Sequence, residues 1–383
     1  MAIGAQAPSA HGPATPAAQA PDQPWDGRAW TSESGSVHGT PPRRPGSVRR
    51  TTSIYMTRPE GFTSGPLHLV GTGRDLLTAA DGSTRVLGTA TLRIIAEGAS
   101  FERPVIEISA QPDLPGLQEL VGRSSRVGFR SAVRDTVGPA LAGADAAPVT
   151  DLSLLAQLLD DIPVAVLVSN AAKTRATGRK IAAAKRPPGA TVRVDVCAGW
   201  RADGLIMSSS RFATERVIPP APPAGRLVLD GDPLAWHDLP PLPVTGMRRL
   251  RRIDVTPVRV PAQGPAPEER AVGAAFMVDA LFRDSYQEAE DAEVVIHEYA
   301  LEAAAARDGR VVHSVTRPAV LPSSDCLAAV PSAGRIVGMA LTEVRQTVAR
   351  TFGGTSTCTH LNDMLRSIGD LPVLVRALEQ SAS

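Results

Sequence analysis

One order of strands and helices is written twice along this chain, and the repetition constrains the fold more than any other feature. Residues 66–77, 84–95 and 104–110 alternate apolar and polar positions or gather β-branched residues. That predicts three strands, the first two joined by the turn Ala80-Asp81-Gly82. Apolar residues then recur at helical spacing over 117–137 and 151–159, the second run with Asp151 as an acidic N-cap. Residues 162–168 read as a strand or a short buried segment. The order returns near the other end. Strands are predicted over 276–282, 293–301 and 311–320, with Arg307-Asp308-Gly309 as a hairpin turn. Helices follow over 332–352, from Cys358 onward and over 371–378.

Particular residues match across the halves at an offset of about 210. Arg74-Asp75 corresponds to Arg283-Asp284, Leu120-Val121-Gly122 to Ile336-Val337-Gly338, and Val137-Gly138 to Phe352-Gly353. Leu155, Leu159 and Ile162 repeat as Leu361, Leu365 and Ile368 with the same spacing. The expected fold is therefore α+β, two related copies of a three-stranded antiparallel sheet followed by helices, a pseudo-duplication. Residues 1–48, rich in Ala, Pro, Gly and Ser without apolar periodicity, read as a disordered tail. The copies are placed at 49–172 and 266–383, with a proline-rich connector at 173–265. Within the connector, 191–206 reads as strand-like and 248–255 as a strand entering the second copy.

Charge excludes some classes of function. Basic and acidic residues number 40 and 39, so the balance favours neither nucleic acid nor a membrane surface as partner. The basic cluster Arg43, Arg44, Arg49 and Arg50 at the end of the tail reads as a solvated linker, with an anionic contact as its alternative. No basic segment leads into an apolar leader, and no apolar run approaches membrane-spanning length. Three cysteines are too few for a disulfide framework, which points to reduced thiols and a cytoplasmic setting. Only three lysines against many alanines, glycines and prolines reflect a GC-rich bacterial genome. An oligomer is neither required nor excluded.

The repeat acts as an internal control on chemistry. Cys326, Cys358, His360, His297 and His313 occur in the second copy, whereas the first has no cysteine. Residues that the shared architecture does not require point to a role beyond packing; the opposite reading is drift at buried positions. Thr357 or Ser356 as N-cap would set Cys358 in a first helical turn, where the dipole lowers a thiol pKa. Cys326, Cys358 and His360, with Asp363 or His297 as a fourth ligand, suit zinc or an iron–sulfur centre. Strand alternation puts His297 and Tyr299 on one face and Glu298 on the other. His297 can equally be a buried histidine satisfied by a backbone carbonyl. Residues 232–237 form a lid or, more simply, a loop anchored by Trp236. Arg74-Asp75 and Arg283-Asp284, present in both copies, read as turn-closing ion pairs. The competing function is a non-catalytic interaction or scaffolding protein with inert buried cysteines. No nucleophile elbow, His-Glu-x-x-His or phosphate loop supports a hydrolase, and the sequence assigns no enzymatic reaction.

Several motifs carry a resemblance. They are Arg50-Thr51-Thr52-Ser53-Ile54, Arg58-Pro59-Glu60-Gly61, 158–163, Leu234-Ala235-Trp236-His237, Phe282-Arg283-Asp284-Ser285, His297-Glu298-Tyr299 and 358–363. Together they resemble the DUF2889 family of uncharacterised bacterial proteins in its actinobacterial form, over roughly 50–380. The resemblance implies no activity. It also implies proline after the cysteine at 326, where this chain has Leu327. The order of strands, cysteine, apolar helix and a Cys/His pair is similar to iron–sulfur cluster scaffold proteins. Here the pair is Cys358-x-His360, and Asp291 or Glu293 stands near the place of a further scaffold cysteine.

Overall fold

The computed structural model describes residues 30–32, 38–62, 65–142, 150–177, 194–212, 221–227, 231–258 and 272–381. Their strands form a single antiparallel sheet of nine. In spatial order these are β1 (Trp30–Thr31), β9 (Val311–Leu321), β8 (Ala292–Ala305), β7 (Phe276–Ala289), β6 (Met247–Pro257), β2 (Ser47–Thr57), β3 (Leu67–Thr78), β4 (Thr84–Ala96) and β5 (Val105–Gln111). The α+β class and antiparallel pairing agree with the sequence reading. Two separate three-stranded sheets do not occur, because β2 and β6 pair with each other at the centre and join the halves.

Both central strands are rich in arginine. Arg49 and Arg50, expected in a solvated cluster, are about 1% exposed within β2. Arg248, Arg249, Arg251 and Arg252 are buried in β6. Such burial is tolerable only where each guanidinium meets a carboxylate. Arg50 lies opposite Asp75 in the β2–β3 register and binds it through two nitrogens at 2.8 and 2.7 Å. Arg49 binds Asp254 on the other face. Neither Arg-Asp dipeptide closes a turn. Asp75 and Asp284 lie within their strands and take arginines from β2 and β6, while neighbouring Arg74 donates to Leu234 O and Arg283 pairs with Glu298. Adjacent strand residues face opposite sides of a sheet, so neither dipeptide can close on itself. Residues 1–29 and 33–37 of the expected tail lie outside the described residues. His38 and Arg43, farther along it, bond Glu298 and Asp232.

The helices cover one face. α3 (Thr150–Val168) lies on β3 and β4; α6 (Leu341–Thr351), α7 (Thr359–Ser367) and α8 (Leu371–Gln380) belong to the second half. α3 approaches β3 closely because β3 offers glycine there. A Cβ on Gly73 would stand 2.9 Å from a Leu154 methyl and 3.1 Å from that of Thr52. The segment 162–168, read as strand or buried segment, continues α3 through Pro163. Burial of Ile162, Val164, Ala165 and Val166 offsets the helical hydrogen bond that proline cannot donate. The helix from Thr150 through Lys173 is apolar and long enough to cross a membrane, contrary to the sequence reading. Its apolar window is 72% buried inside the fold, as a core helix is.

Other expectations fail for identifiable reasons. The single helix over 117–137 is a 3₁₀ turn at Leu117–Leu120 and then α1 (Phe129–Thr136) and α2 (Gly138–Ala142), because Gly122 and Gly128 turn the chain with positive φ. The helix over 332–352 divides likewise into a 3₁₀ stretch, Ser324–Ile336, and α6 around Gly338. Beyond α4 (Asn170–Thr177), the described part of 191–206 is no strand. It holds a 3₁₀ turn at Ala198–Trp200 and the start of α5 (Leu205–Phe212), folded back by a bond from Asp195 N to Trp200 O.

On the face opposite the helices, Trp236 is buried and its indole N–H donates to Thr40 Oγ1 at 2.8 Å, so 232–237 is an anchored loop. His237 sits between the Thr51 hydroxyl, 2.9 Å from Nδ1, and the Ser53 hydroxyl, 2.8 Å from Nε2. Burial, with Arg74 and Arg248 nearby, pushes its pKa down to about 3. Acidification therefore protonates this histidine in the unfolded chain first. Its contribution is full above pH 6.5 and is lost as pH falls from there toward 3. Well below pH 6.5 the loss from this group is about 1.4 kcal/mol per pH unit. Urea unfolding at pH 4–6 should show a shallower pH slope for His237→Gln than for wild type; equal slopes would contradict the assignment.

Candidate metal centre

The register places a histidine at one strand position and glycine at the comparable one. Asp75 of β3 faces Gly88 of β4, and Asp284 of β7 faces His297 of β8. In the first half Arg50 holds Asp75, and in the second Arg249 holds Asp284 through Nε and Nη2 at 2.9 and 3.1 Å. Each pair of strands has a bulge immediately after its aspartate. The surroundings then diverge. A Cβ on Gly88 would collide with Thr150 and Asp151 at the start of α3, whereas His297 projects beneath α7 and meets His360.

The imidazoles of His297 and His360 stack with centroids 3.7 Å apart and planes inclined by 22°. Phe282 borders the stack, its ring centroid 6.0 Å from that of His360. His297 Nδ1 and His360 Nε2 each lie 3.6 Å from Asp284 Oδ2. Both nitrogens are buried without a hydrogen-bond partner, so the backbone-carbonyl partner expected for His297 is not found at Nδ1. Among the described residues, Asp284, His297 and His360 form a group whose ligand atoms all lie within 4.8 Å of one another.

Burial is the largest cause lowering both histidine pKa values well below the ordinary range. His360 and Arg249 reinforce the shift at His297 against Asp284; Arg249 and Arg251 reinforce it at His360. The rings are therefore neutral and hold lone pairs, the state in which imidazole binds metal. Asp284 faces the Arg249 guanidinium, which Asp284, Asp161 and Asp363 hold in its charged form against the penalty of burial. A carboxylate has about four lone-pair sites, so two remain after Arg249 takes its pair.

The sequence-predicted residues are distributed around this group. His297 and His360 belong to it. Cys358 lies beside it, with Sγ 3.9 Å from His360 Nδ1. Asp363 is engaged elsewhere, by Arg130 at 2.8 Å and Arg249 at 3.2 Å. Cys326 lies near Ser323, Sγ to Oγ 3.9 Å, and is not part of the Asp–His–His group. Cys358 itself occupies the N-cap of α7, displacing the expected Thr357 or Ser356. Helix-end amides of Leu361 and His360 do favour its thiolate, but burial outweighs them and raises the pKa. Asp284 was the missed member. Its signal was present in the Arg-Asp match, but the shared position disguised it as purely structural.

Residues 266–373 match the model of a family described as "Protein of unknown function (DUF2889)". This supports the family resemblance over β7–β9 and the helices up to α8, a stretch that includes all three residues of the group. No curated protein matches the chain. No solved structure matches it either.

Two unpartnered buried nitrogens lower stability, since neither recovers the hydration it loses on folding. His360→Leu, measured without metal, should therefore leave the urea midpoint unchanged or raise it. A loss above about 2 kcal/mol would mark the ring as a structural element instead.

Proposed function

We propose that the second half of this chain binds a divalent cation of the zinc class through His297 Nδ1, His360 Nε2 and Asp284 Oδ2. One observation carries the reading: two neutral, buried and unpartnered ring nitrogens each lie 3.6 Å from the same carboxylate oxygen. Tetrahedral ligands at about 2.1 Å from zinc are separated by about 3.4 Å. The stacked rings run their lone pairs side by side, so binding would turn one ring and open the stack. Of the two centres expected from the sequence, nitrogen and oxygen donors favour zinc over an iron–sulfur cluster, which takes thiolates.

Cys358 has a supporting role in this reading. With Nε2 on the ion, His360 would direct its Nδ1–H toward the Cys358 sulfur, fixing the ring's tautomer as outer partners of metal-bound histidines do. The duplicated origin of the halves, their division at about 172 and 265, the actinobacterial form and a cytoplasmic setting belong to the same proposal. Support comes from the matching Arg50–Asp75 and Arg249–Asp284 pairs and from three free cysteines. The reading assigns binding and no reaction.

An inert role for the cysteines also has a specific support. Burial raises the pKa of all three, Cys197 to about 11, so they are protonated near neutrality. That favours a scaffolding reading for the thiols without accounting for the two histidines. Zinc titrated against a chromophoric chelator separates the readings. The full chain should bind about one ion in the micromolar range or tighter, and His297→Ala and His360→Leu should each weaken binding at least tenfold. Absence of binding by the folded wild type, or equal binding by both variants, would contradict the proposal.

A further inference from the structure

Three cysteines distant in sequence lie around one loop packed against the start of α7. Cys197 precedes the 3₁₀ turn Ala198–Trp200, and that loop is tied to the chain before α7 by a bond from Ala198 N to Thr357 O at 2.8 Å. The Trp200 N–H closes the turn by donating to the Cys197 carbonyl oxygen at 3.0 Å. Cys197 and Cys358 are the chain neighbours of the two bonded residues, Ala198 and Thr357, so their backbones lie side by side. Both cysteines have extended backbones, φ −160° at Cys197 and −131° at Cys358. Cys326 lies beside the same loop, where a Cβ on Gly199 would stand 2.7 Å from its Sγ. Tyr299 shares one buried cluster with Ala198, Cys326 and Cys358. Cys197 is half-buried, whereas Cys326 and Cys358 are buried.

We infer that Cys197 and Cys358 are a dithiol pair that closes to a disulfide under peroxide, with Cys326 remaining a thiol. Cys197, half-buried where the other two cysteines are buried, is the thiol that an oxidant reaches first. Its sulfur attacks one oxygen of hydrogen peroxide, the O–O bond breaks, and a sulfenic acid and one water result. The Cys358 sulfur then attacks the sulfenic sulfur. An S–S bond forms, the S–O bond breaks, and the hydroxyl leaves with the thiol proton as a second water. Two thiols have lost two electrons to one peroxide. Closure would draw the Cys358 sulfur from its place beside His360 Nδ1, coupling thiol oxidation to the histidine group.

This inference stands whether or not the histidines bind metal, and its test uses chelator-treated full-length protein. After mild peroxide, unfolding in alkylating agent and peptide mass spectrometry, the count of free thiols should fall by two. A linked peptide should join Cys197 to Cys358, and Cys326 should be alkylated. Cys326→Ser should keep the link. Cys358→Ser should leave a sulfenic acid at Cys197 that dimedone traps. Three alkylated thiols, a link through Cys326, a link between chains, or overoxidised Cys197 without a link would each overturn the inference.

Discussion

Buried arginine–carboxylate pairing across β2 and β6 is the constraint on which the rest depends. On the helix-bearing face, Arg50 meets Asp75, Arg249 meets Asp284, and Arg251 meets Asp161 of α3. Asp363 of α7 closes the set by reaching Arg249 and Arg130. Two apolar clusters lie on either side, one under α3 and one under α6–α8. Removing one member of a buried pair costs about 3–5 kcal/mol, far more than the pair contributes against an apolar substitute. The network therefore acts mainly by penalising alternatives. A one-residue slip of β2 against β6 would turn every guanidinium to the wrong face. It also ties the halves together, since α3 of the first half reaches β6 and Asp370, just before α8, lies near Arg50 of β2.

The same pairing prepares the histidine group. Arg249 fixes both oxygens of Asp284, so the carboxylate that faces His297 and His360 has a set orientation. The first half keeps the ion pair and fills the space differently. Gly73, Gly88 and Leu154 admit a closely packed helix there, while the second half has Phe282 and His297 on its strands and a helix that supplies His360. One scaffold thus serves packing on one side and places titratable, metal-competent groups on the other. The cysteines lie at the edge of this arrangement, around Tyr299 and the N-cap of α7.

Much of the strand layout was legible in the sequence because alternation and turn residues are local signals. β3, β4, β5, β8 and β9 fall close to their expected bounds, and Gly82 and Gly309 make the expected turns. β2 was hidden because buried arginines look like a solvated cluster until their carboxylate partners, distant in sequence, are known. The broken helices were misjudged because apolar spacing continues across Gly122, Gly128 and Gly338 while the backbone does not. At the site, His297 and His360 stood out as residues absent from the first half. Asp284 did not, because comparison between halves discounts whatever they share. Cys197 escaped for another reason: its neighbours come from a loop contact that no periodicity encodes.

The role of the histidine group depends on whether one ion is held between the two rings and the carboxylate. Anomalous diffraction at the zinc edge from crystals grown with equimolar zinc tests this most directly. A bound ion should give a peak about 2.0–2.2 Å from His297 Nδ1, His360 Nε2 and Asp284 Oδ2, with the imidazole stack opened. A peak on other residues, or no peak while the rings remain stacked as they are here, would contradict the proposed binding.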